Sequence, residues 1–285
     1  MRTTPVQPLC RSLLLLAGLV SSQVPANETN TLPSLPQWQV LEYEQKAFFI
    51  TAKSRVEIVA AGDNSEHWRL TANSSVASNS EDVTLDLTGA EGKALYRSRL
   101  SKGKEQRLKT YDFLQTHIER VRRDPPPKTK LPPSEWPVSS RKDIAYPPEA
   151  ADKVVTDAYA LLELAGRFQA SDAEAAEVIV NTEFNFYQVR MTRSNDEHDI
   201  EVSYEVEGTR AAVTGKRNTS AVALEVAPVG DQPDKYDFSL LGLNGDITIL
   251  FDADTGLPLQ LSGTAPRIGD AEINLKRVTL RKSVP

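Results

Sequence analysis

The 285-residue chain has a single cysteine, Cys10, and it lies in the first short stretch of the sequence. Everything after that stretch lacks a thiol, which excludes a disulfide framework, a cysteine-ligated metal and a cysteine nucleophile. Histidine is almost as scarce. His67, His117 and His198 stand far apart, without the paired spacing that a zinc site needs. The serine elbow G-x-S-x-G is absent, and Gly242 and Gly245 alone do not make a phosphate-binding loop. Beyond residue 20 no apolar run approaches the ~18 residues that span a bilayer. A basic excess is missing too: the formal net charge is -6, which argues against non-specific nucleic-acid binding. No catalytic constellation emerges, so the expectation is a non-enzymatic protein with no cofactor and no metal.

What is present begins at the N-terminus. Arg2 and Arg11 precede an apolar run at 12–20, and the small residues Ser21 and Ser22 follow. That is the pattern of a secretory signal peptide over residues 1–22, with cleavage before Gln23. Its removal takes two arginines and no acid, leaving 31 basic against 39 acidic residues, or about -8. A lipobox cysteine would follow the apolar run, whereas Cys10 precedes it. The expectation is an exported, periplasmic protein that is not a lipoprotein and has no integral membrane segment once the signal is removed; the absence of disulfides fits a bacterial source. Residues 23–36 read as a disordered leader, and residues 37–285 as one β-rich domain beginning near Trp38.

Period-2 alternation dominates that domain. Segments 47–59, 83–87, 94–100 and 107–121 read as strands. So do 178–187, 200–206, 221–226, 247–251, 257–261 and 272–280. The run Asp252-Ala253-Asp254-Thr255-Gly256 reads as a hairpin turn rather than a calcium loop, which needs further ligands before and after the glycine. In the last strand the apolar phase changes near Lys276 and Arg277, which predicts a bulge. Eight prolines within 124–148 predict a long irregular connection, with Trp136 and Tyr146 as anchors. One helix is predicted from Glu149 to about Ala165. Val154, Ala158, Leu161, Leu162 and Ala165 lie on one face, and Gly166 stands at its end. The expected fold is mainly β: a large curved antiparallel sheet of roughly ten strands, a half-open barrel, packed around one α-helix.

Two features carry functional expectations. Tyr159, Leu162, Phe184 and Phe186 are candidates to line an apolar ligand site between helix and sheet, among aromatics that include Phe48 and Phe49. The hairpin 97–109 holds Arg97, Arg99, Lys102, Lys104, Arg107 and Lys109 against one acid, Glu105. It is a candidate contact for an anionic surface. Two functions follow: binding of an apolar or envelope-derived ligand in the sheet concavity, or an envelope adaptor that meets a protein partner through the basic hairpin or the Pro-rich arm.

These signals occur together with Lys-Thr-Tyr-Asp-Phe at 109–113, Val-Thr-Asp-Ala-Tyr-Ala-Leu-Leu at 155–162, Phe-Asp-Ala-Asp-Thr-Gly-Leu-Pro-Leu-Gln-Leu at 251–261 and Ile268-Gly269. In this the chain resembles uncharacterised periplasmic proteins of proteobacteria whose sheet is similar to that of the lipoprotein-localisation carriers. The resemblance spans most of residues 37–281. It implies a curved half-barrel with a helical plug and an apolar ligand, and it brings no catalytic residue.

Overall fold

A computed structural model describes residues 35–282 except 48–49, 63–65, 210–211 and 231–234. The expected signal peptide, the leader up to residue 34, and Phe48 and Phe49 lie outside the described residues.

The described chain forms one mainly β sheet, antiparallel except at two short pairings, with a single α-helix. Eight strands come first: β1 (Trp38–Ala47), β2 (Ile50–Ala60), β3 (His67–Val76), β4 (Asn79–Thr88), β5 (Ala94–Lys102), β6 (Arg107–Phe113), β7 (His117–Arg123) and β8 (Val138–Ala145). A two-residue strand, β9 (Val155–Thr156), precedes the helix α1 (Leu161–Ala170). The rest are β10 (Ala175–Asn181), β11 (Phe186–Val206), β12 (Ala212–Pro228), β13 (Asn244–Asp252), β14 (Pro258–Ala265) and β15 (Gly269–Leu280). The chain starts in the middle of the sheet and walks outward from β1 to β8 at one edge. It then crosses to β9 at the other edge and walks back until β15 pairs with β1.

That crossing forces the curvature. Laid flat, fifteen strands at 4.7–4.9 Å spacing would be roughly 65–70 Å wide. Residues 146–154 join the two edges, and an extended chain of that length reaches about 35 Å at most. The sheet therefore curls until its outer strands approach. Tyr146, just after β8, meets Phe186 of β11 edge-on with ring centroids 6.2 Å apart. Arg120 of β7 and Lys142 of β8 both lie over the Phe184 ring. The edge strands β8 and β9 do not pair with each other, so the sheet is curved without closing into a barrel.

Among the described residues the sheet has fifteen strands rather than ten. The segment 178–187, read as one strand, is two strands joined by a turn: Thr182 N donates to Asn185 O at 3.0 Å, and β10 folds back on β11. The Pro-rich stretch also holds a strand. Between Pro137 and Pro147 the run Val138–Ala145 is proline-free, so it pairs with β7 and becomes an edge strand. The expected anchors are there: Trp136 is buried and its Nε1 donates to Leu131 O at 3.0 Å, while Tyr146 donates its hydroxyl to Leu114 O at 3.0 Å. The bulge at the phase change is present as well. Glu42 opposes Arg277 and Tyr43 opposes Leu275, so Lys276 is the extra residue.

The helix is shorter and later than its pattern predicts. Pro148–Ala150 make one 3-10 turn, and Val155 and Thr156 are extended and pair in parallel with β10. β-branched residues lose rotamer freedom in a helix and fit a ladder better. Thr156 gains a further bond, donating its hydroxyl to Gly92 O at 2.7 Å. Asp157 then caps a 3-10 turn over Ala158–Ala160 by accepting from Tyr159 N at 2.9 Å, and α1 follows directly. Gly166 lies inside α1 rather than at its end. Leu161, Leu162, Ala165 and Phe168 of α1 join Trp68, Leu85, Val180, Ile249 and Phe251 in one apolar core. The helix thus fills the end of the concavity near the β4–β5 connection, where Arg167 donates to Ala90 O at 2.8 Å and covers the Trp68 ring.

Candidate functional site

Register carries some of the basic hairpin's charges to the concave side. Leu85, Arg97, Tyr111 and Arg120 oppose one another across β4 to β7, and directly opposed residues share a face. Leu85 and Tyr111 are wholly buried, so Arg97 points inward with them and is 0% exposed. Its guanidinium stacks 3.8 Å above the Tyr111 ring. It donates to Asp157 Oδ2 at 2.7 Å, to the Asn181 carbonyl at 2.7 Å, to Asn181 Oδ1 at 2.9 Å and to the Thr182 carbonyl. A side chain expected on an anionic surface therefore ties β5 to the segment before α1 and to the end of β10.

One step along the same face, Arg99 donates to both carboxylate oxygens of Glu81, at 2.8 and 2.9 Å. Lys109 reaches Glu183 at 2.5 Å, and Arg120, itself nearly buried, donates to the same carboxylate. Burial by itself would raise the Glu183 carboxyl; its bond from Lys109 and the two positive charges outweigh that and hold it below the usual carboxylate range. Lys109 is shifted down, because burial outweighs the support of Glu183. Lys102 pairs with Asp82 at 2.5 Å and Arg107 with Glu105. Five of the six expected surface cations are thus committed to acids within the chain. Lys104 is exposed at the hairpin tip and makes no ion pair with the described residues.

At the end of the concavity away from α1 the core opens into a cleft of about 1040 Å³. Ala158 and Tyr159, from the turn before α1, line it. One wall comes from β2 to β6, including Val76, Arg99 and Lys104. The other comes from the segment before β13 and from the β14–β15 turn, including Leu241, Arg267 and Ile268. The Tyr159 hydroxyl lies 3.4 Å from Ser74 Oγ, and burial pushes its pKa up to about 12, so it stays neutral at any physiological pH. A short tongue fills the centre. Leu240 and Leu243 exchange backbone bonds of 2.9 and 3.0 Å around Leu241 and Gly242, and Phe238, Leu240 and Leu243 are buried. Asp237 fixes the base of the tongue by accepting from Thr182, Asn185 and Tyr187 at 2.8–2.9 Å.

The expected lining residues separate. Tyr159 lines the cleft. Leu162 is wholly buried between helix and sheet, and Phe186 is in the core beside Tyr146. Phe184 sits on the β10–β11 turn, 42% exposed and covered by two cations. The space between α1 and the sheet is therefore packed core, and the open volume lies beyond the helix. Sequence reasoning missed Val76, Leu241, Arg267 and Ile268. Their signal was faint: two-residue turns at Ala77-Ser78 and Leu241-Gly242, and a Pro-Arg-Ile-Gly turn at 266–269.

His67, His117 and His198 lie in β3, β7 and β11, and no group of three metal-ligating side chains comes together among the described residues. Asp252 closes the turn anticipated for it, accepting from Asp254 N at 3.0 Å and Thr255 N at 2.8 Å. Comparison with protein-family models, characterised proteins and solved structures finds no match to this chain.

Proposed function

We propose that this is a non-enzymatic, exported binding protein of the bacterial periplasm that holds an amphipathic, envelope-derived ligand in the open cleft. One observation carries the reading. Val76 and Ile268 are 44% and 43% exposed, and both line the same cleft as buried Leu241 and Tyr159. An alkyl chain laid there would gain about 0.8 kcal/mol per methylene removed from water. The volume suits a small-molecule site. Export rests on the pattern of residues 1–22 and on the thiol-free remainder.

The test is titration of the purified mature protein with N-phenyl-1-naphthylamine, an uncharged probe that fluoresces in apolar sites. Saturable one-to-one binding, weakened at least tenfold in Val76→Asp and Ile268→Asp, is the expected result. Absent binding, or binding unaffected by both substitutions, rejects the cleft as the site.

A second reading, the envelope adaptor, draws on β8. That strand ends the sheet, most of its residues are exposed, and its outer side pairs with no other described strand. A partner strand could add there. Proline substitution at Ser140 would then abolish a co-purifying protein, whereas a partner retained after it speaks against this reading.

A further inference from the structure

We propose that the cleft selects amphiphiles with an anionic headgroup, and that Lys104 and Arg267 grip it from opposite walls. This rests on the cleft being a ligand site at all; it adds the chemistry of the head.

The electrostatics run against the rest of the molecule. The protein is net acidic, yet the described residues lining this cleft include seven lysines and arginines against four acids. All four acids are already engaged: Glu81 by Arg99, Glu105 by Arg107, Asp157 by buried Arg97, and Asp237 by Tyr187, Thr182 and Asn185. Five of the seven cations are paired too, Lys53, Lys102 and Lys109 with acids outside the lining, so the unpaired charges lining the cleft are Lys104 and Arg267 against Asp237, a positive balance. Lys104 projects from the β5–β6 turn and Arg267 from the β14–β15 turn, six strands apart in a sheet that curls to bring them to one opening. Arg267, like Lys104, is exposed and makes no ion pair with the described residues. Two cations line one volume, neither held in an ion pair by a described residue. The one lining carboxylate without a cationic partner, Asp237, is tied to Thr182, Asn185 and Tyr187, and a bound anion would relieve the remaining positive charge.

The backbone gives a second, independent observation. Four non-glycine residues of the described chain have positive φ, and two of them, Leu241 (54°) and Arg267 (69°), line this cleft. A third, Ala77 (51°), sits between the lining residues Val76 and Asn79. Left-handed backbone is costly for a residue that carries a β-carbon, and such strain gathers at binding sites. At Arg267 the turn is held by Ile268 N donating to Ala265 O at 3.1 Å. The same turn brings both Arg267 and Ile268 to the lining of the cleft. Tyr159 and Leu241 are buried, while Val76, Ile268, Lys104 and Arg267 are exposed, and all six line the one cleft, so apolar and cationic groups are both offered to a single-chain amphiphile.

The test uses displacement of N-phenyl-1-naphthylamine from the mature protein. The competitors share a twelve-carbon chain and are kept below their micelle concentrations: dodecanoate and dodecyl phosphate as anions, dodecyl maltoside as the neutral chain, and inorganic phosphate as the anion without a chain. The anionic amphiphiles should compete about two- to thirtyfold better than the neutral one, the range that two exposed charge contacts give. Lys104→Glu/Arg267→Glu should remove that advantage and leave the neutral chain unchanged, with Lys104→Gln/Arg267→Gln as the milder pair should reversal disturb folding. Whichever of dodecanoate and dodecyl phosphate competes better names the headgroup. Equal competition by anionic and neutral chains, unmoved by either double variant, overturns the headgroup assignment while leaving the cleft intact. Competition by inorganic phosphate equal to that of dodecyl phosphate also overturns it, since the site would then hold a free anion. Failure of the probe to bind at all defeats the cleft reading itself.

Discussion

Arg97 and Asp157 form an ion pair of 2.7 Å with side chains 0% and 7% exposed, 60 residues apart in sequence. It joins the first half of the sheet to the segment that leads into α1. Removing one partner strands the other charge without water, which costs about 3–5 kcal/mol. Arg97→Met should therefore lower stability by that much, read as a shift in the urea midpoint at unchanged slope. Arg97→Met/Asp157→Asn should recover part of it, because the orphaned charge is gone. A single variant as stable as the parent would remove the clasp from the account.

The Glu183 carboxylate links β6 and β7 to the β10–β11 turn. Burial works against its charge, but Lys109 and Arg120 win and its folded pKa lies below the ordinary value. A depressed carboxyl stabilises the fold above its unfolded pKa of about 4.3, and that contribution fades as pH falls through the folded value. Thermal midpoints of the parent and Glu183→Gln should differ at pH 7 and converge in acid. A gap that stays constant from pH 7 to pH 3 contradicts this.

Glu163 gives the opposite sign. It is buried in α1, and burial raises its pKa despite the neighbouring Arg167. A raised carboxyl favours folding most below its unfolded pKa and loses that contribution as pH rises through the folded one. Thermal midpoints of the parent should fall relative to Glu163→Gln between pH 4 and pH 7. No relative change across that window would show that Arg167 neutralises the site fully.

Two glycines separate cleanly. Gly166 lies inside α1, and a β-carbon there would meet only Phe251 Cε1 at 3.6 Å, an ordinary contact. Gly166→Ala should stabilise by about 0.5–1 kcal/mol through helix propensity. Gly92 has φ +69° and its β-carbon would lie 2.8 Å from Leu164 Cδ2, so Gly92→Ala should destabilise. Calorimetric midpoints moving in the same direction would refute the distinction.

The curved sheet was legible because alternation survives wherever one face is buried, as in 200–206 and 247–251. β1 and β3 were harder. His67–Val76 carries Thr71, Asn73, Ser74 and Ser75, so half its length lacks the apolar partner that alternation needs. The helix boundary was misplaced because 3.6-residue spacing from Val154 coincides with a run whose β-branched residues prefer to pair with β10. The basic hairpin was visible as charge, but its orientation was not. Only the register that opposes Arg97 to Leu85 and Tyr111 shows that this cation is structural. The cleft was invisible for a topological reason: Val76 comes from the end of β3 and Lys104, Leu241 and Arg267 from three separate turns, and the crossing from β8 to β9 brings these segments around one opening.

Arg267 offers a case where stability and binding should move in opposite directions. Its φ of 69° is a position that glycine occupies without steric penalty. Arg267→Gly removes the left-handed strain but adds freedom to the unfolded chain, so the net gain should be positive and below about 1 kcal/mol. The same substitution deletes one of the two unpaired cations lining the cleft. The variant should therefore melt slightly higher than the parent while losing several-fold in competition by dodecyl phosphate and none by dodecyl maltoside. A variant that melts lower would mean that the arginine side chain itself holds the turn. The strain would then be a by-product of packing rather than of a site kept for its charge.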